Sequence, residues 1–120
     1  MSSTFQVLLT LNKREFSVTL EDTKTSRKLQ NMLPLEFDMF DLDGAQKYVF
    51  LQDAMPTNPE SLKKIEVGDV LLYEDRCLSL FYRPCCSNYR YTILGKVDEP
   101  APLEATLSGR SSVVATLRRR

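Results

Sequence analysis

The chain contains no histidine and no tryptophan. Without histidine it lacks the usual general base of neutral-pH catalysis and the commonest zinc ligand. Cysteine is scarce as well. Cys77, Cys85 and Cys86 cannot form a disulfide framework, and the adjacent Cys85-Cys86 pair has no second cysteine pair at zinc-site spacing. These residues read as small buried or loop thiols in a reducing compartment, with no metal and no cofactor implied. A redox role would need a thiolate activated by a cation, and only Arg83 and Arg90 are close in sequence. Neither sign of charge is in excess, with 16 Lys plus Arg against 16 Asp plus Glu. That balance supplies no whole-protein field to draw in nucleic acid or an anionic membrane. No apolar run approaches the ~20 residues that span a bilayer, and Met-Ser-Ser-Thr-Phe offers no basic opening to a signal peptide. These absences point to a soluble, cytoplasmic protein.

What is present has ordinary globular proportions, 42% hydrophobic and 27% charged in 120 residues. One domain of this length buries enough surface to fold without a metal or disulfide. Charge is uneven locally. Residues 36–53 hold Glu36, Asp38, Asp41, Asp43 and Asp53 against the single Lys47, and the chain ends Arg118-Arg119-Arg120. The simplest reading of both is a solvated face and a ragged terminus.

The stretch from Gly68 to Asp98 organises the rest. Three short runs rich in β-branched, leucine and aromatic residues, at 69–73, 77–82 and 91–97, are divided by Glu74-Asp75-Arg76 and by Pro84-Cys85-Cys86-Ser87-Asn88. That is a sequence of strands and turns. Upstream, Phe5, Val7, Leu9 and Leu11 recur at period two, as do Phe16, Val18 and Leu20, which predicts two half-buried strands joined at Asn12-Lys13-Arg14. Asp22-Thr23 offers an N-cap to a helix with Leu29, Met32 and Leu33 on one stripe, stopped at Pro34. Leu35, Phe37 and Met39 alternate with Glu36 and Asp38 in a third strand. Residues 46–51 form a fourth, apolar on both faces and so expected to be covered on both sides. Gln52 to Val67 reads as a long loop with a helical turn at 60–63. Pro100 to Leu107 reads as a short helix entered through prolines, and Val113, Ala115 and Leu117 as a last strand.

The pattern predicts a mainly β protein, a closed eight-stranded antiparallel β-barrel with one or two capping helices, because closure leaves no bare edge. The domain spans 5–117, with 1–4 and 118–120 as flexible termini. A competing architecture is a ubiquitin-like β-grasp interaction domain, which residues 5–41 would also open. The strands after residue 46 are too many for it, and the end lacks a conjugable glycine pair.

The order of these parts resembles the small cyclophilin-like proteins. Gly68-Asp69-Val70 through Tyr73 to Leu80-Phe81-Tyr82 is similar to their central hairpin, and Leu94-Gly95-Lys96-Val97, followed by a helix and a strand, is similar to the end of cyclophilins. The resemblance implies a groove on the barrel wall. In prolyl isomerases of this type an arginine on the third strand hydrogen-bonds the prolyl nitrogen as the bond twists. The matching strand here, Leu35–Leu42, has no arginine and carries Glu36, Asp38 and Asp41. The resemblance therefore implies a binding module for an extended or proline-containing peptide, or a small apolar ligand, lined by Tyr48, Phe50, Met55, Phe81 and Tyr82. The alternative is a weak prolyl isomerase using Arg83 or Arg90 as a substitute donor.

Overall fold

Period-two patterning produces strands in this chain with little exception. The computed structural model describes residues 4–120, so Met1–Ser3 of the expected N-terminal tail lie outside the described residues. The elements are β1 (Thr4–Leu11), β2 (Arg14–Glu21), α1 (Lys24–Met32), β3 (Leu35–Leu42), β4 (Gln46–Phe50), β5 (Glu60–Ser61), β6 (Lys64–Ile65), β7 (Asp69–Tyr73), β8 (Cys77–Phe81), β9 (Cys85–Cys86), β10 (Arg90–Val97), α2 (Leu103–Leu107) and β11 (Ser112–Arg119). Eight of the strands pair in the ring order β2-β1-β11-β3-β4-β8-β7-β10, and β10 returns to β2. All pairings are antiparallel, so the sheet is a closed eight-stranded barrel.

Closure decides between the two architectures. Leu9 lies opposite Leu117 across β1 and β11, and Leu35 lies opposite Leu117 across β3 and β11. The last strand thus sits between the first and third and completes a cylinder, which excludes the β-grasp alternative. At the β2–β10 seam only Gly95, Lys96 and Val97 pair, with Leu20, Thr19 and Val18. A Cβ built at Gly95 would lie 2.1 Å from the Thr19 carbonyl oxygen. The two backbones approach too closely there for any side chain, which is the physical reason for glycine in that strand.

Inward residues of every long strand form one core. Val7, Leu9, Phe16, Val18, Met39, Leu72, Leu80, Leu94 and Ala115 are buried in it. Thr23 caps α1 by accepting from the Ser26 N–H, and Leu29 of that helix is buried in the same core. The gap left among these side chains is about 20 Å³, room for no more than a water. The interior is a packed core and no ligand chamber.

Three local expectations are corrected. The helical turn expected at 60–63 is absent: Glu60–Ser61 pairs with Arg90–Tyr91 of β10, and Lys64–Ile65 pairs with Cys85–Cys86. Ile65 draws this segment into strand form by packing with Leu71, Phe81 and Tyr91 in a second cluster, on the outside of the β7–β8–β10 sheet. Residues 46–51 are not covered on both sides, since Phe50 stands in solvent. The last strand also runs beyond residue 117 to Arg119, and Arg118 and Arg120 reach Glu15 and Ser17 of β2.

Candidate binding wall

The barrel presents an uncovered apolar wall where β11, β3 and β4 lie side by side. Its residues follow from alternation. On β3, Leu35, Phe37 and Met39 turn to the core, so Glu36, Asp38, Phe40 and Leu42 turn out. On β4 the outward residues are Gln46, Tyr48 and Phe50, and on β11 they include Val114. Register places Phe40 opposite Tyr48 and Val114 opposite Asp38. The Phe40 and Tyr48 rings are 6.3 Å apart, and Tyr48 meets Phe50 edge to face at 5.8 Å. Of the five most exposed large hydrophobic residues among those described, four lie here: Phe40 (48%), Leu42 (44%), Phe50 (67%) and Val114 (56%).

Beyond Phe50 the wall passes into an open groove of about 470 Å³ lined by Tyr73, Glu74, Asp75, Arg76 and Cys77. Phe50 is paired with Cys77 and Tyr48 with Ser79, so small β8 side chains stand beside the two aromatic ones.

The five sequence-derived binding residues do not share one surface. Tyr48 and Phe50 are on the wall. Met55 is buried in the main core, and Tyr82 is buried there too, its ring turned inward. Phe81 points the other way, under the outer cluster of Ile65, Leu71 and Tyr91. A groove of about 400 Å³ does adjoin that cluster, with Leu62, Leu71 and Ile93 along it. Its rim donor Lys96 is already tied to Glu66 and Asp69. Phe40, Leu42 and Val114 are the wall residues that reading the chain passed over. The signal was available, since Phe40 and Leu42 are in phase with Glu36 and Asp38 and must face out with them.

Neither arginine candidate reaches the wall as a free donor. Arg83 donates to the Gly44 carbonyl, Glu104 and Ser108, and its guanidinium lies 5.7 Å from the Tyr82 ring centre. It clamps α2 to the β3–β4 turn. Arg90 donates to the Pro59 carbonyl and borders a separate groove with Tyr73 and Tyr89.

A second polar group closes the barrel end beneath Arg83. Lys47, fully buried, points inward and its ammonium donates to Asp41 at 2.9 Å and to the Arg110 carbonyl. It also lies 5.3 Å from the Tyr82 ring centre. The Tyr82 hydroxyl donates to the same Asp41 oxygen at 2.5 Å. Burial, reinforced by the Asp41 hydrogen bond, pushes the Tyr82 phenol up to about 12. Burial alone raises the Asp41 carboxyl, but hydrogen bonds from Tyr82, Lys47 and the Gly44 N–H outweigh it and hold the group below its ordinary value. Each donor is matched by an acceptor, and the arrangement is that of a fastening.

Burial raises Cys77 and Cys85 above the ordinary thiol value, and Cys86 is exposed on the two-residue strand β9. Among the described residues no three His, Cys, Asp or Glu side chains are grouped to hold a metal ion. No helix there is long and apolar enough to cross a membrane.

Comparison with known proteins agrees with this geometry. The model of the Cyclophilin-like family matches residues 9–118. The fold is similar to the solution structure of the hypothetical protein AF2241 from Archaeoglobus fulgidus, with a TM-score of 0.73 at 16% identity, over 100% of this chain and 98% of that one. No curated protein matches the chain.

Proposed function

The chain belongs to the cyclophilin-like family, and on that premise we propose that it is a binding module without isomerase chemistry. The ligand is an extended, proline-containing peptide or a small apolar molecule, and it lies on the outer wall of β11, β3 and β4. The observation that carries the reading is the gathering of Phe40, Leu42, Phe50 and Val114, exposed on one wall. Contiguous exposed apolar surface marks an interaction site more often than scattered single residues do. The packed interior leaves no alternative chamber for a ligand.

Chemistry on the wall is argued against by what stands on its third strand. Glu36 and Asp38 precede Phe40 on the outer face of β3, and a carboxylate cannot donate a hydrogen bond to a prolyl nitrogen. Arg83 is held by three acceptors at the barrel end. The direct test is fluorescence anisotropy of a labelled proline-containing peptide against the wild-type protein and a Phe40→Ser/Phe50→Ser double variant. Loss of binding in the variant, with its fold intact by circular dichroism, supports the wall. Unchanged binding would move the site elsewhere.

A further inference from the structure

The wall is also one-sided in charge. Glu36 and Asp38 stand on it, Asp43 follows β3, Asp53 follows β4, and Glu74 and Asp75 line the groove beside Phe50. All six are exposed, and none makes an ion pair or side-chain hydrogen bond with another described residue. The cations nearby are fewer than the carboxylates. Lys47 of β4 points into the barrel, Arg118 of β11 is bound to Glu15, and the Arg76 Nε donates to the Leu51 carbonyl at the groove edge. Carboxylates that are paired elsewhere on the molecule, such as Glu66 with Lys96, show that this chain has cations available for pairing. On this wall it places only Arg118, paired with Glu15, and Arg76 at the groove edge, against six carboxylates.

Resting on the reading of this wall as a binding surface, we propose that its partner is a cationic extended segment, a peptide in which arginine or lysine alternates with apolar side chains. Two properties of the wall meet in that partner. The apolar residues cover Phe40, Leu42 and Val114. A guanidinium laid over Tyr48 or Phe50 gains from the ring face, while Glu36, Asp38, Glu74 or Asp75 neutralises it. An uncharged apolar ligand would cover the surface beside Glu36 and Asp38 and bring them no counter-charge, which makes it the weaker of the occupants considered. An acidic partner would add like-charge repulsion.

The experiment uses matched labelled peptides that share their apolar residues and differ only in carrying Arg, Gln or Glu. The Arg peptide is expected to bind roughly tenfold more tightly than the Gln peptide at low salt, with the gap closing as salt is raised. A Glu36→Gln/Asp38→Asn variant is expected to narrow that gap while still binding the Gln peptide. Equal binding of the Arg and Gln peptides, or preference for the Glu peptide, overturns the cationic partner and leaves the wall as a binding surface. Failure of all three peptides on a folded protein overturns both. Sedimentation of the protein alone completes the test: a monomer supports a peptide occupant, whereas a dimer abolished by Phe50→Ser would make a second copy the occupant.

Discussion

Phe40 and Tyr48 face each other across β3 and β4, ring centres 6.3 Å apart, on the outside of a barrel whose inside is already full. Neither residue is needed to complete the core. An aromatic pair in that position leaves apolar area in water that folding does not remove, and partner binding would remove it.

Removing wall residues should therefore affect binding far more than folding. Phe50→Ser is expected to change unfolding free energy by less than about 1 kcal/mol, as for other exposed positions. The same change should weaken peptide binding by roughly tenfold, the range for truncating an aromatic anchor. Chemical denaturation and anisotropy on one preparation check both.

Prolyl isomerisation offers a clean negative. A chromogenic X-Pro peptide should isomerise at its uncatalysed rate in the presence of the protein. Arg83→Ala should leave that rate unchanged and lower stability by about 1 kcal/mol through lost hydrogen bonds to Gly44 and Ser108. Acceleration that Arg83→Ala abolishes would restore the isomerase alternative.

The barrel seam makes a sharp structural prediction. Gly95→Ala places a methyl group against the Thr19 carbonyl and the Leu20 backbone. Backbone cannot move aside as a side-chain tip can, so the cost should be on the order of 3 kcal/mol, visible as a lowered denaturation midpoint. Gly109→Ala is the control without collision: nothing lies within 4 Å of its added carbon, so it should cost only the roughly 1 kcal/mol of a side chain at its φ of +77°.

Tyr82 and Asp41 fix the pH profile. The Tyr82 phenol ionises near 12 in the folded protein, above the ordinary value near 10. A group whose folded value is raised contributes stability that is fully present below about 10 and is lost as pH rises through about 12. Tyr82→Phe should remove that alkaline contribution, so the stability gap between the two proteins narrows as pH climbs through this window. Asp41 acts in the opposite sense, its contribution present above the ordinary carboxylate range and lost as pH falls through its lowered folded value. Melting temperatures across pH for both proteins measure the effect.

The barrel was legible in the chain because its core strands alternate strictly: Phe16, Val18 and Leu20 leave one choice of face. The β2–β10 seam was not, since glycine at 95 declares freedom in sequence and crowding only in three dimensions. Aromatic residues misled where identity stood in for direction. Phe81 and Tyr82 are adjacent, so they point to opposite sides of β8 and its continuation, and one surface could never hold both. The segment at 60–65 carries too little local pattern to choose its form, and tertiary packing of Ile65 chose it. Lys47 looked like a lone surface cation among acids, yet its phase on β4 with Val49 sends it inward.

The most direct test of the account is a backbone-amide NMR titration with the arginine-bearing peptide. Chemical-shift changes confined to β3, β4, the outward positions of β11 and the Glu74–Cys77 turn are the result expected. Changes centred instead on the Leu62, Leu71 and Ile93 groove, with Phe40, Tyr48 and Phe50 unmoved, would contradict it.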